Sequence, residues 1–120
     1  MIGVGLTLYL SGPMTGYPEQ NYPAFARAAA ALRARGLTIV SAHETFHNGA
    51  QGGDGKLAWA AYLRNDLKEL LGCDGIILLP GWPQSAGAKL EFDVAVRLGC
   101  QVFFLDTDDR LVDMNRQVCA

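Results

Sequence analysis

Short apolar runs alternate along the chain with longer stretches whose apolar residues recur every three or four positions, and glycine marks most of the joins. Leu6-Thr7-Leu8-Tyr9-Leu10 reads as a first strand, closed by the turn residues of SGPMTG. Asn21 is placed to cap a helix with Pro23 in its first turn. Phe25, Ala28, Ala29 and Leu32 then fall on one face of that helix, and Gly36 follows its end. Leu37 to Val40 makes a second strand. Beyond a glycine-rich stretch, Leu57 to Leu71 repeats apolar side chains at Trp59, Tyr62, Leu63, Leu67 and Leu70, which predicts a second helix stopped by Gly72. Almost nothing polar interrupts CDGIILL, the pattern of a strand covered on both faces. Ser85 is a candidate cap for a third helix running to Leu98, with Gly99 after it. Val102 to Leu105 makes a fourth strand. A polar tail follows from Asp106, and residues 107–120 are expected to be flexible.

The order βαβαβαβ requires right-handed crossovers, so a parallel sheet with helices on both faces is expected. In such sheets ligands bind beyond the carboxyl ends of the strands, where strand order reverses. Three loops qualify: SGPMTGYPEQ, SAHETFHNGAQGGDG and PGWPQSAG.

The chain's 120 residues, half of them hydrophobic, suit a single domain over 1–120. Ten basic residues against twelve acidic ones give a net charge of −2. No Lys/Arg cluster could follow a phosphate backbone, which argues against a nucleic-acid polymer as partner. The N-terminal MIGVGLTLYL lacks a basic flank, and no apolar run approaches the ~20 residues of a membrane span. No membrane association is expected, and the location expected is cytoplasmic. Cys73, Cys100 and Cys119 lack metal-type spacing and read as small core residues in a reducing compartment.

Residues 43 to 47, HETFH, match the H-E-x-x-H pattern of zinc peptidases. That chemistry needs a helix to bring both imidazoles to one face, and a third protein ligand. Here the pattern starts just past a strand and runs into NGAQGGDG, which cannot prolong a helix. No metal is therefore expected; His43 or His47 could still line a pocket. GVG at Gly3 to Gly5 precedes the first strand, whereas a dinucleotide fingerprint follows it. The richest constellation is PGWPQSAGAKLE, Pro80 to Glu91, which leaves a buried strand and enters a helix so that Glu91 lies in its second turn. The second helix contributes Asp66. Two carboxylates from different helices can serve glycosyl transfer, one meeting an oxocarbenium-like carbon and the other managing the leaving group's proton.

Three segments in this order, YLSGPMTG-x-P-x-x-N-x-P-A-F, YLRNDLKELLGCDGIILLPGW and S-x-G-A-x-x-E-x-x-x-A-x-x-L-G, resemble the small DUF4406 proteins of bacteria and phages. Those are related to nucleoside 2-deoxyribosyltransferases and 2'-deoxynucleoside 5'-phosphate N-hydrolases. The resemblance implies a flavodoxin-like or Rossmann-like three-layer α/β fold with a parallel sheet of four to five strands. It implies a glutamate nucleophile that forms a deoxyribosyl-enzyme intermediate, which the spacing from Gly87 assigns to Glu91. It assigns to Asp66 the handling of the base. Tyr9, Ser11, Gly12, Pro13, Met14 and Gly16 become candidate substrate contacts, with Gly81, Trp82, Ser85 and Gly87 in the third loop. No cofactor is implied. The partner implied is a small nucleoside or nucleotide, and relatives are homo-oligomers in which a neighbouring subunit completes the pocket.

Two departures stand out. The transferases usually carry an acid six positions before the catalytic glutamate, where this chain has Ser85. The nucleotide hydrolases place an arginine in the first glycine loop, where this chain has Met14. The expectation is an enzyme that cleaves or exchanges the N-glycosidic bond of a 2'-deoxynucleoside or its 5'-monophosphate. The alternative is a non-catalytic nucleotide-binding module on the same fold.

Overall fold

The computed structural model of the protein describes residues 5–44, 55–114 and 118–119. Four strands, β1 (Thr7–Ser11), β2 (Thr38–Ser41), β3 (Gly75–Leu78) and β4 (Gln101–Leu105), are connected through α1 (Tyr22–Ala34), α2 (Gly55–Leu71) and α3 (Ala86–Arg97). These four strands pair parallel, and the sheet order begins β2-β1-β3-β4. The chain moves outward from β1 to β2, then crosses back to β3 on the other side of β1. The gap between the carboxyl ends of β1 and β3 is therefore the switch point where such sheets open a crevice.

The expected α/β architecture holds, and the apolar runs explain it. All four residues of β3 are buried, and Leu8, Leu10, Ile76, Ile77 and Leu78 have no exposed surface. Phe25, Ala28, Ala29 and Leu32, spaced for one face of α1, are buried with them. Each such Leu, Ile or Phe contributes roughly 1.5–3 kcal/mol relative to exposure, so this layer carries the fold. The helix α2 packs on α3, which sets their facing surfaces beside the carboxyl end of β1.

Two expectations change here. Residues 107–120, read as a flexible polar tail, instead supply two strands: β5 (Leu111–Asp113) runs antiparallel to β4, and β6 (Val118–Cys119) pairs with β5. A turn at Asp106, whose carboxylate accepts from the Asp108 and Arg110 amides, reverses the chain so that Leu111 is buried opposite Leu105. Asn21 does sit at the N-cap position of α1, but it makes no capping bond and adopts a left-handed conformation. Its Nδ2 donates instead to the Pro13 carbonyl at 2.9 Å, tying the start of α1 to the loop after β1. Glu19, Gln20 and Asn21 all have φ between 53° and 62°. A run of non-glycine residues in that region costs roughly 1–2 kcal/mol each and persists only where its surroundings hold it.

Ser85 caps α3 as expected, its Oγ accepting from the Ala88 amide at 3.1 Å. Cys73 and Cys100 are free and partly buried against the core. Among the described residues, no helix is long and apolar enough to cross a membrane.

Candidate active site

A cavity of about 720 Å³ lies between the loop after β1, the middle of α2 and the N-terminal end of α3. The β1 loop contributes Gly12, Pro13, Met14, Thr15, Gly16 and Tyr17 to its wall, and α3 contributes Ala86, Gly87, Ala88 and Glu91, with Gln84 and Ser85 just before it. From α2 come Trp59, Tyr62, Leu63 and Asp66. Gly12 passes close to the residue that follows β3: a Cβ there would stand 2.8 Å from the Cβ of Leu79. Any larger residue there would force the loop and Leu79 apart.

Glu91 is the deepest carboxylate of the wall, 4% exposed. Placed in the second turn of α3, it reaches back over the end of β1. There the Ser11 hydroxyl donates to its Oε1 at 2.5 Å and the Tyr9 hydroxyl to its Oε2 at 3.1 Å. Burial pushes the Glu91 carboxyl up to about 7, the Ser11 bond pulls it down, the charge of Asp66 raises it, and the Tyr9 bond lowers it. A carboxyl balanced this way changes charge near neutrality, where an unperturbed glutamate is fully ionised. The Tyr9 phenol is driven well above its ordinary value, first by burial and then by the charges of Glu91 and Asp66, so it remains a hydrogen-bond donor.

Asp66, 8% exposed, faces the same space from α2. The Tyr22 phenol, at the start of α1, is pushed up to about 12 by burial, then by Tyr62 and Asp66. Among the described lining residues the ionisable groups are two carboxylates and two phenols, with no cationic side chain.

The structure thus brings together Glu91, Asp66, Gly12, Pro13, Met14, Gly16, Ser85 and Gly87 on one wall system. Tyr9 and Ser11 do not line it: both are fully buried beneath Glu91. Gly81 and Trp82, expected at the substrate, do not line this cavity. Gly81 turns the chain with φ 90°, and the Trp82 ring stacks on Phe104 and packs 4.8 Å from Phe92. Both residues border a separate, smaller cavity of about 300 Å³ with Leu105 and Phe104.

Trp59, Tyr62 and Leu63 line the main cavity without having been anticipated there, whereas Tyr17, Gln20 and Gln84 belong to two of the loops expected at the ligand but had not been singled out. One signal was present. Asp66 continues the apolar row Trp59, Tyr62, Leu63 at helical spacing, and a carboxylate on an apolar stripe marks the part of the helix that faces a cavity rather than the core.

The loop after β2 answers the HETFH pattern as far as it is described. Ala42–Glu44 form one short 3-10 turn. His43 Nδ1 pairs with the Ser41 hydroxyl at 2.5 Å, and the ring packs against Tyr22 and Phe25. Burial lowers its pKa, an effect that Glu44 opposes and Arg33 reinforces. Glu44 itself is bound by Arg33 at 2.6 Å. Residues 45–54, which include His47, lie outside the described residues.

The family described as a domain of unknown function, DUF4406, matches residues 6–104. The chain belongs to the DUF4406 family. Those residues span every element from β1 to the penultimate residue of β4, and with them Glu91, Asp66 and the glycine loop. A solved 2-deoxyribosyltransferase from the psychrotolerant bacterium Bacillus psychrosaccharolyticus is similar in structure to this DUF4406 chain. The TM-score is 0.61 at 20% sequence identity, covering 82% of this chain and 70% of that one. At that identity the likeness concerns the fold. No curated protein matches this DUF4406 chain in sequence.

Proposed function

We propose that this DUF4406 protein cleaves or transfers the N-glycosidic bond of a 2'-deoxynucleoside or its 5'-monophosphate, with Glu91 as nucleophile. One observation carries the reading: a buried carboxylate, held by two hydroxyls and titrating near neutrality, at a cavity that a second carboxylate also faces. The shared fold with a 2-deoxyribosyltransferase supports it.

In this mechanism a Glu91 oxygen bonds to C1' as the C1'–N bond breaks, and Asp66 delivers a proton to the departing base. Water then bonds to C1', the C1'–O bond to Glu91 breaks, and Asp66 takes the water's proton. The aromatic wall of Tyr17, Trp59 and Tyr62 suits a planar base. Tyr17 and Trp59 are each 42% exposed at this wall, positions that a neighbouring subunit can cover in the homo-oligomer that belongs to the same proposal.

The test is incubation of the purified protein with a panel of deoxynucleosides and their monophosphates, followed by chromatography for free base and a denatured-mass search for a pentosyl adduct. Free base, an adduct on the Glu91 peptide, and loss of both in Glu91→Ala with ligand binding retained are expected. Near-normal turnover in Glu91→Ala would remove the mechanism. The second reading, a binding module without turnover, is favoured by Ser85 standing where the transferases carry an acid. It leads if ligands bind to the wild type and none is cleaved.

A further inference from the structure

Ser11 has no exposed surface and does not border the cavity. A ligand in the cavity therefore reaches Glu91 without touching Ser11. Its backbone is fixed on both sides: Ser11 pairs with Leu78 in the β1–β3 ladder, and its carbonyl accepts from the Leu79 amide at 2.9 Å. From that fixed point the hydroxyl donates to Glu91 Oε1 at 2.5 Å. The phenol of Tyr9 reaches Oε2 at 3.1 Å, long for an O–H···O bond, whereas about 2.5–2.7 Å is the range of charge-assisted ones.

We propose that Ser11 is the positioning residue for Glu91, holding the carboxylate in one orientation and in its ionised form, and makes no contact with the substrate. Glu91 must be an anion to attack carbon, yet burial and Asp66 both favour the neutral acid. Tyr9 on β1 and Asp66 on α2 are the titratable groups that face it. Of the two groups that favour the anion, Ser11 has the greater effect, ahead of Tyr9. A hydroxyl suits this place because it rotates: it donates to the carboxylate and accepts from the protonated acid, so neither state leaves a buried polar atom without a partner. The donated bond is the stronger of the two because its acceptor is charged. The effect on turnover rests on the proposed role of Glu91; the effect on its titration does not.

The experiment follows the Glu91 carboxyl directly. Protein labelled with 13C at the glutamate side-chain carboxyls is titrated by NMR, with Glu91 assigned by the resonance missing in Glu91→Gln. In Ser11→Ala the midpoint is expected to rise by about one to two pH units, the size of a lost hydrogen bond to a charged group. In Ser11→Thr, which keeps the hydroxyl, the rise is expected to be under about half a unit. With a substrate in hand, the acid limb of kcat moves up with the NMR midpoint while KM changes less than about twofold. A folded Ser11→Ala whose Glu91 midpoint equals the wild type overturns the proposal, as does a Ser11→Thr that shifts as far as Ser11→Ala. If Ser11→Ala does not fold, Ser11→Cys, close in volume but a weak donor, must raise the midpoint or the proposal fails. A shifted midpoint in a protein that turns over nothing leaves Ser11 in place and removes the glycosidic reading. An unshifted midpoint with turnover intact does the reverse.

Discussion

A Cβ placed on Gly81 would stand 2.8 Å from the phenolic oxygen of Tyr17. The two residues come from the loops after β3 and β1, so the first loop lays a cavity-wall ring directly on the second. Gly81 also holds φ at 90°, where a side chain costs roughly 1–2 kcal/mol. Gly81→Ala is expected to destabilise the fold by about 1–2 kcal/mol and to raise KM by displacing Tyr17. The double variant Gly81→Ala, Tyr17→Phe should recover part of the loss because the phenolic oxygen is gone. Denaturant unfolding of the four proteins checks it: strictly additive effects would mean that the contact has no energetic weight.

The carboxyl of Glu91 makes stability fall with pH. Its value is raised from 4.5 to about 7 on folding, so between those values the folded chain holds a proton that the unfolded chain has released. The stabilisation is complete below about pH 4.5 and is lost as pH rises through about 7, amounting to about 3 kcal/mol. Comparing unfolding free energies of wild type and Glu91→Gln at pH 4.5 and pH 8 isolates it. A wild-type advantage that grows towards alkaline pH would contradict the sign.

Asp66→Asn preserves shape and hydrogen-bonding capacity but removes proton transfer. Turnover is expected to drop by about 10²–10⁴-fold for ordinary bases. The loss should shrink when the leaving base is a better anion, since less proton donation is then needed. A series of substrates with graded leaving groups gives the answer, and a loss that stays constant across the series would assign Asp66 to another role.

Ser85 is the position where hydrolysis and base exchange should part. Its hydroxyl already caps α3, and aspartate is an equally good cap, so Ser85→Asp should melt within a few degrees of the wild type. The new carboxylate would face the cavity where the transferases carry theirs and could orient a second base. If the proposed cleavage holds, wild-type protein given a deoxynucleoside and excess adenine or cytosine is expected to release sugar faster than it forms new nucleoside, and Ser85→Asp to shift that ratio towards nucleoside. Exchange outrunning hydrolysis in the wild type would show that the acid is dispensable.

How far the sequence revealed the molecule depended on the kind of signal. Uninterrupted apolar runs such as Gly75–Leu78 predicted the buried strands, and apolar residues recurring every three or four positions predicted the three helices. Glu91 was singled out by its place in the second turn of the helix after PGWPQSAG and Asp66 by its place on the second helix, and the structure sets both at the main cavity. Tyr9 and Ser11 were assigned to the ligand by the family resemblance, and strand alternation could not refine this, because it cannot tell a residue on a cavity wall from one beneath it. Gly81 and Trp82 were expected at the same cavity and do not line it, for a different reason. The direction taken by a loop after its strand depends on partners distant in sequence, here Phe92 and Phe104 for the tryptophan. The two tail strands span three and two residues, too few for any period to register.

The bonds from Tyr9 and Ser11 to Glu91 span 82 and 80 residues of chain. β1 precedes the other described strands in the chain, yet it sits inside the sheet, between β2 and β3. Until α3 has been made, the polar ends of Tyr9 and Ser11 stay hydrated, and until β3 has been made the edge of β1 that takes it stays open, a surface prone to pairing with other chains. Contacts this distant form late and slowly. The hydroxyl pair therefore acquires its carboxylate partner only as folding closes, and a nascent or truncated chain that ends before α3 has strands but no site.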